Sequence, residues 1–188
     1  MTADTVERYG EEEIVRRLRK GDRRAMRVLY DTYVRYLTAV CARYISDDDD
    51  LKDVLQEAFV RVYTAIGDFE YRGAGSLRGW LSRIAVNQAL KHLRDDKMLR
   101  VPLDGACDDL TDDTPDTDDI PSEVIYEMIR QLPTGYRAVF NLYVIEDYSH
   151  REISQMLGIS ESTSASQLHR AKALLAARIR EYRNNAIK

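Results

Sequence analysis

The sequence predicts an all-α fold, in which two small helical domains are joined by an acidic, flexible linker and the C-terminal domain contains a helix-turn-helix. Three observations lead to this prediction. The 188 residues include four prolines and nine glycines, which suits a helical chain better than a sheet-rich one. Apolar residues recur at helical spacing, and a hydrophobic content of 44% is enough to build cores. Residues 148–175 contain two short helical patterns separated by a turn.

Four helices are predicted before the linker, over residues 11–20, 23–44, 50–66 and 77–97. Gly21 and Asp22 separate the first two, and the aspartates at 47–50 are placed to cap the third. The side of the third helix expected to face the core comprises Leu51, Leu55, Ala58 and Val62, with Phe59 and Ile66 near its edge. Its polar side comprises Asp53, Gln56, Glu57 and Arg61, and such a stripe is by default a solvated face.

The predicted linker, residues 101–121, reads VPLDGACDDLTDDTPDTDDIP and holds three of the four prolines. Repelling carboxylates and small polar residues cannot bury enough apolar surface to order such a segment. The aspartates do not have the spacing of a twelve-residue calcium loop with its glycine and its final glutamate, so we expect no metal.

Two helices are predicted over residues 122–132 and 135–145, with Pro133 between them, before the helix-turn-helix. Ser149 and Glu152 have the spacing of a capping box, and Gly158 ends the first helix of the motif. Ser160 is placed to cap the second helix. Counting about 100° per residue, the side of this helix that packs comprises Ser164, Leu168, Ala171 and Leu175. The side that faces outward comprises Ser162, Ala165, Ser166, His169 and Arg170.

Small polar, imidazole and guanidinium groups on an outward helix face suit contacts to major-groove edges and phosphates, so duplex DNA is the expected ligand. A helical hairpin that never touches DNA is the alternative.

The net charge of −4 is unevenly distributed along the chain, because residues 101–122 hold eight acidic residues and no Lys or Arg. Residues 71–100 hold seven Lys or Arg against two acids, and residues 165–188 hold six against one. Both segments are therefore able to meet phosphates.

The two cysteines, Cys41 and Cys107, form neither a disulfide framework nor a zinc pattern, and Cys41 is expected in a core. The sequence has no apolar signal segment and no run long enough to span a membrane, which indicates the cytoplasm. No nucleophile with a base, phosphate loop or metal-ligand spacing is present, so we expect neither an enzyme nor a cofactor.

Six stretches, spread in order over nearly the whole chain, carry a family pattern: DVLQEAFVRVY at 53–63, YRG at 71–73, LRGWLSRIAVN at 77–87, QLP at 131–133, YSHREIS at 148–154 and LHRA at 168–171. Together they resemble the bacterial sigma factors of the extracytoplasmic-function group. The resemblance implies that residues 1–100 form a sigma region 2 domain and that residues 122–188 form a region 4 domain. The first would bind core RNA polymerase and open the minus-ten element, and the second would read the minus-thirty-five element as duplex.

The resemblance also implies roles for individual residues. Asp53, Gln56 and Glu57 match the family's polymerase-binding face. Asn87 matches the position that receives an unstacked base of the minus-ten element, and Tyr71 matches the aromatic at the edge of the loop that separates the bases. Arg72, Arg83, Lys91 and Arg94 are placed to hold phosphates along this helix. A packed surface aromatic remains the alternative for Tyr71, and a helix-face amide remains the alternative for Asn87. Trp80 matches a family tryptophan, but we expect it to be structural.

In the recognition helix, the family positions that meet the minus-thirty-five element align with Ala165, Ser166, His169 and Arg170. Ser164 stands in place of a frequent valine, Ala165 of a frequent basic residue and Gln167 of a frequent arginine. Fewer cations predict weaker phosphate attraction and a shifted base preference.

The sequence thus predicts a promoter-specificity subunit whose partners are core RNA polymerase, promoter DNA and an anti-sigma factor. The free chain is expected to be a monomer that does not insert into a membrane. A conventional helix-turn-helix repressor or activator with an N-terminal sensor is the alternative, and tight binding of promoter DNA by the chain alone would favour it.

Overall fold

The computed structural model describes residues 4–95, 117 and 119–186. Within these residues the chain consists of helices and loops, which confirms the predicted all-α fold. The helices are α1 (Asp4–Arg19), α2 (Arg23–Ala42), α3 (Asp48–Ala65), α4 (Ser76–Asp95), α5 (Ser122–Arg130), α6 (Thr134–Phe140), α7 (His150–Leu157) and α8 (Glu161–Ala186). A short 3₁₀ turn (Ile66–Asp68) follows α3, and a π-helical turn (Asn141–Ile145) follows α6.

Contacts between Cα atoms divide the chain into two compact units after His92, in the last turns of α4. Most of the predicted linker, together with Cys107, lies outside the described residues. The domain bounds 1–100, 101–121 and 122–188 therefore stay a prediction.

In the N-terminal unit, α1 packs on α2 and α2 packs on α3. Carboxylates cap two of these helices. Asp47 accepts from the Asp49 and Asp50 amides at 2.9 and 3.0 Å, as expected for the acidic run before α3. Asp22, expected only to separate the first two helices, also caps α2 by accepting from the Arg24 amide at 2.8 Å. The two backbone hydrogen bonds, that from Asp50 first, lower the pKa of Asp47. Cys41 is buried, as predicted.

The buried side of α3 differs from the predicted one. Val54, which the prediction omitted, is 3% exposed, whereas Leu51 and Leu55 are only half-buried. Val54 lies one turn before Ala58, so the buried stripe is rotated toward it. Ala58, Phe59, Val62 and Ile66 are buried as predicted.

In the C-terminal unit, α8 is the helix on which α5, α6 and α7 pack. Two arginines bind the carbonyls at the end of α5. Arg137 donates to the Arg130 carbonyl at 2.6 Å, and Arg178 donates to the Met128 and Gln131 carbonyls at 2.7 and 3.2 Å. Cations satisfy the unpaired carbonyls of a helix C-terminus and oppose its dipole. Arg137 is buried, and this burial, followed by the charge of Arg130, lowers its pKa.

The segment predicted as one helix over 135–145 changes geometry at Asn141. The α-helix ends at Phe140 and a π-helical turn follows, which leaves Tyr143, Val144 and Ile145 partly exposed. A π turn adds a residue to the helical repeat, and a count of apolar spacing at 3.6 residues per turn cannot detect it.

The helix-turn-helix has the predicted caps. Ser149 Oγ accepts from the Glu152 amide at 3.3 Å, and Glu152 accepts from the Ser149 amide at 2.9 Å, so the capping box is complete. Hydrogen bonds from the Ser149 hydroxyl and backbone lower the pKa of Glu152. Gly158 ends α7 with a φ of 68°, in the left-handed region that favours glycine. Ser160 Oγ accepts from the Thr163 amide at 3.0 Å and so caps α8.

Replacing Ser149 by alanine removes this cap, so we expect the C-terminal unit to lose about 1 kcal/mol of unfolding free energy. Urea unfolding followed by circular dichroism measures the change. Ser122→Ala is the matched control, because no side chain caps the start of α5, and it should change stability by less than about 0.5 kcal/mol. Equal effects of the two substitutions would contradict the role given to the cap.

Candidate functional site

The polar side of α3 presents all three predicted polymerase-binding residues together. Asp53, Gln56 and Glu57 are exposed and line a depression of about 530 Å³. The same depression is lined by Val60, Arg61 and Thr64 of α3 and by Gln88 and Lys91 of α4. We call Asp53, Gln56, Glu57, Val60 and Arg61 the α3 face.

Val60 is the residue of the α3 face that the sequence analysis missed. It is 57% exposed, although the other valines of this helix, Val54 and Val62, are buried. An apolar side chain ringed by hydrogen-bonding groups is the usual anatomy of a protein–protein contact. Its position three residues after Glu57 and four after Gln56 was a signal available in the sequence.

One side of α4 carries the predicted minus-ten residues. Arg83, Asn87, Lys91 and Arg94 are all exposed, and their spacing places them on one stripe of the helix, which we call the α4 stripe. Lys91 also lines the depression beside the α3 face, so the two predicted surfaces meet at this residue. Trp80 is half-buried and packs on Phe69 with ring centroids 4.9 Å apart, consistent with a structural role.

Tyr71 and Arg72 lie in the loop before α4, residues 69–75, which we call the Tyr71 loop. Tyr71 is half-buried beside α1, where it shares a depression with Glu11 and Glu12. Arg72 is exposed and pairs with Glu70 at 3.2 Å, an ion pair that solvent weakens. Gly73 and Gly75 have φ values of 110° and 84°, which other residues adopt only with strain.

The recognition helix is the N-terminal half of α8, and its predicted outward residues Ser162, Ala165, Ser166 and His169 are exposed. The predicted packing residues Ser164, Leu168, Ala171 and Leu175 are buried. Two outward hydroxyls make local hydrogen bonds: Ser162 Oγ lies 2.8 Å from Ser160 Oγ, and Ser166 Oγ donates to the Thr163 carbonyl at 3.0 Å. With its proton engaged, the Ser166 hydroxyl is left as an acceptor.

Arg170 does not face outward as predicted. It is half-buried, and its guanidinium donates to the Tyr136 hydroxyl of α6 at 3.4 Å. Arg170 lies next to the buried Ala171 at the edge of the exposed face, and its long side chain folds back onto α6.

Two exposed cations of the helix-turn-helix were missed by the sequence analysis. Lys172 follows His169 by three residues and Ala165 by seven, so it extends the same outward face. Arg151 is exposed in the first turn of α7. Continuing the angular count beyond Arg170 would have found Lys172.

A hydrogen bond joins the two helices of the motif. His150 Nδ1 lies 2.9 Å from the hydroxyl of Ser164, which is fully buried, and the imidazole stacks on Tyr143 with ring centroids 4.7 Å apart. A buried hydroxyl needs a partner, and His150 supplies it. The hydrogen bond to His150 thus gives a structural reason for Ser164 at a position where the family frequently has valine.

Over residues 4–95 and 119–186, no group of three or more His, Cys, Asp or Glu side chains is placed to hold a metal ion. No helix in that part of the chain combines the length and apolarity needed to cross a membrane.

The chain matches two described protein families, Sigma-70 region 2 over residues 29–98 and Sigma-70 region 4 over residues 122–175. It is 31% identical over 157 residues to the ECF RNA polymerase sigma factor SigX of Bacillus subtilis (strain 168), covering 79% of this chain and 80% of that protein. The chain belongs to the extracytoplasmic-function (ECF) sigma factor family. The ECF RNA polymerase sigma-E factor of Haemophilus influenzae is 27% identical over 186 residues, with 92% of this chain and 97% of that protein covered.

Among solved structures, that of CnrH in complex with the cytosolic domain of CnrY matches this ECF sigma factor with a TM-score of 0.45 at 24% identity, over 89% of this chain and 96% of that chain. Family membership decides between the two functions that the sequence left open. This ECF sigma factor is a promoter-specificity subunit of RNA polymerase, and the conventional repressor or activator is set aside. Promoter recognition in this family is non-catalytic, and its members bind core RNA polymerase and promoter DNA.

A double-mutant cycle measures the His150–Ser164 hydrogen bond. We expect His150→Ala and Ser164→Ala to be non-additive in unfolding free energy by about 1 kcal/mol, because each substitution removes the same bond. The control cycle pairs His169→Ala with Ser164→Ala; His169 is exposed on the other side of α8, so this pair should add to within about 0.5 kcal/mol. Additivity in both cycles would mean that the bond contributes nothing to the motif.

Proposed function

We propose that this ECF sigma factor binds core RNA polymerase through the α3 face, opens the minus-ten element with the α4 stripe and the Tyr71 loop, and reads the minus-thirty-five element with the recognition helix. The observation that carries the proposal is the α3 face. Asp53, Gln56 and Glu57, which match the family's polymerase-binding positions, surround a valine that is 57% exposed. Domain 1–100 would perform the first two tasks and domain 122–188 the third.

The chemistry of the α3 face suits a basic partner surface. Two carboxylates and an amide oxygen accept hydrogen bonds from Lys and Arg, and charge-assisted bonds of this kind set orientation and on-rate. Val60 would supply the apolar centre that excludes water.

The minus-ten assignment combines three kinds of group. Arg83, Lys91 and Arg94 are exposed cations for phosphates, Asn87 lies among them with an amide that both donates and accepts, and Tyr71 offers a ring for stacking. Arg72 would have to leave Glu70 to reach a phosphate, which costs little for an exposed pair. Bases extruded from a duplex are recognised by such stacking and edge contacts.

In the recognition helix, Ser162, Ala165, Ser166 and His169 would face the major groove, with Lys172 and Arg151 on phosphates. Because Ser166 donates to its own helix, it would accept from a base, as from the amino group of adenine or cytosine. Arg170 would contact DNA only if its guanidinium were released from the Tyr136 hydroxyl. The specificity therefore falls more on hydroxyl and imidazole groups than on arginine.

The remaining parts of the proposal rest on the family resemblance. The chain would act in the cytoplasm as a monomer until it binds core polymerase, and an anti-sigma factor would control it by covering the polymerase-binding surfaces. The polymerase supplies all catalysis, so the chain would need neither an active site nor a cofactor. By joining the two domains, the acidic linker would raise the effective concentration of domain 122–188 at the promoter once domain 1–100 is bound.

A transcription experiment tests the function directly. The purified chain is mixed with core RNA polymerase and sheared DNA of its host, and transcript starts are sequenced with and without the chain. New starts that share two upstream elements are expected only when the chain is present. Absence of both core binding and new starts would refute the proposal.

Reversing one charge on the α3 face should weaken core binding. We expect Glu57→Lys to raise the dissociation constant for core polymerase about tenfold or more, because a rim carboxylate that meets cations becomes a like charge. Asp68→Lys is the matched control, since Asp68 is exposed in the same unit outside that face. Titration of labelled chain with core polymerase measures both, and an equal change in the two variants would argue against the α3 face.

The recognition helix should separate affinity from specificity. Lys172→Ala is expected to weaken holoenzyme binding on all minus-thirty-five sequences alike and to reduce the slope of log affinity against log salt by about 1. His169→Ala should instead change the preferred bases while leaving that slope unaltered. Binding of a randomised minus-thirty-five library at several salt concentrations measures both quantities, and a base-preference change for Lys172→Ala would contradict its assignment to phosphate.

A further inference from the structure

Glu11 of α1 joins three parts of the N-terminal unit with one carboxylate. Its Oε1 accepts from the hydroxyl of Tyr33 in α2 at 2.9 Å, and its Oε2 accepts from the Gly75 amide, directly before α4, at 3.0 Å. Gly75 is 64 positions away in the chain. Such a long-range bridge orders the loop that it ends.

The bridge has a fixed end at Tyr33. This side chain is 7% exposed, so its hydroxyl requires an acceptor, and Glu11 provides it. Burial, and then the hydrogen bond to Glu11, raises the pKa of Tyr33, which keeps the phenol protonated as the donor. Glu11 is therefore held from the α2 side before it reaches Gly75.

The other end of the bridge lies at the start of α4. The first amides of a helix have no partner within the helix, and a carboxylate there is favoured by the helix dipole. Ser76 also holds this loop locally, because its hydroxyl accepts from the Arg72 amide at 3.2 Å and donates to the Gly73 carbonyl at 2.6 Å. Glu11 adds a bond that ties the loop to α1 and, through Tyr33, to α2.

Both ends of the Tyr71 loop are bound by α1. Arg19 donates to the Phe69 carbonyl at the beginning of the loop, and Glu11 accepts from Gly75 at its end. Tyr71 lies between these anchors and packs in the depression that Glu11 lines. The position of the ring is therefore set by α1 and not by the loop sequence alone.

We propose that Glu11 is a positioning residue for promoter opening, which holds the Tyr71 loop and the start of α4 in the geometry that captures an unstacked base. The inference rests on the proposed function. Glu11 does not touch DNA in this scheme, since its two oxygens are engaged by Tyr33 and Gly75. It acts through Tyr71 and the α4 stripe.

The test uses holoenzyme reconstituted from core polymerase and the full chain, on a promoter recovered by the transcription experiment above. Glu11→Ala should bind core polymerase as the unaltered chain does, yet lower the permanganate reactivity of unpaired promoter thymines about tenfold, as expected for one charge-assisted hydrogen bond of about 1.4 kcal/mol. On a promoter with a pre-opened bubble the defect should shrink, because the cost of unpairing has been removed.

Glu12→Ala is the matched control. Glu12 is exposed beside Glu11 and lines the same depression, so its removal deletes the same charge without breaking the bridge. It should open the promoter as the unaltered chain does. Tyr33→Phe is the second variant: it leaves the Gly75 bond and removes only the anchor, so it should open the promoter less well than the unaltered chain and better than Glu11→Ala.

The outcomes are distinct. Equal promoter opening by Glu11→Ala and Glu12→Ala would overturn the inference. The inference would also be overturned if Glu11→Ala and Tyr33→Phe lost core binding or folding to the same extent as they lost promoter opening, because Glu11 would then be merely structural. If the unaltered chain neither binds core polymerase nor gives new starts, the proposed function itself fails and the inference falls with it.

Discussion

The buried stripe of α4 is the constraint on which the rest of the N-terminal unit depends. Leu77, Leu81, Ala85 and Ala89 recur every four residues and are fully buried. The small alanine side chain leaves room for a side chain of α2, because Cys41 Sγ lies 4.0 Å from the Ala85 carbonyl oxygen. Once this stripe is buried, the direction of every other side chain on α4 follows from the helical repeat. Apolar packing thus orients the polar groups that, in the proposed function, would contact DNA.

In the C-terminal unit, α8 likewise has a packed side and an exposed side, but its packed side includes polar side chains. Ser164 and Gln167 are buried on the packed side of α8. Arg170 donates to the Tyr136 hydroxyl, and the Ser166 hydroxyl donates to a carbonyl of its own helix. In the proposed function, the outward face would offer DNA two hydroxyls, one imidazole and the exposed cations Lys172 and Arg151. Affinity for the duplex would then come in large part from attachment to the other domain and to the polymerase.

The sequence predicted what local rules determine. The cap on α3 followed from the aspartates at 47–50, and the start of α7 followed from Ser149. The angular count gave the exposure of four of the five outward positions of the recognition helix and the burial of all four packing positions. It did not predict the fold-back of Arg170, the π turn after Phe140 or the Glu11 bridge, since each depends on a residue far away in the sequence or on a change of helical repeat. Contacts between residues that are far apart in the sequence leave no local pattern in it.

The arginines at the end of α5 have a consequence for biosynthesis. The Met128 carbonyl is bound by Arg178, which lies 50 positions later, so the first helix of this unit emerges from the ribosome long before its partner exists. A nine-residue helix is unstable alone. The nascent unit would remain open for most of its synthesis, with Met128 and Ile129 uncovered, and would close in one late step once α8 has been made.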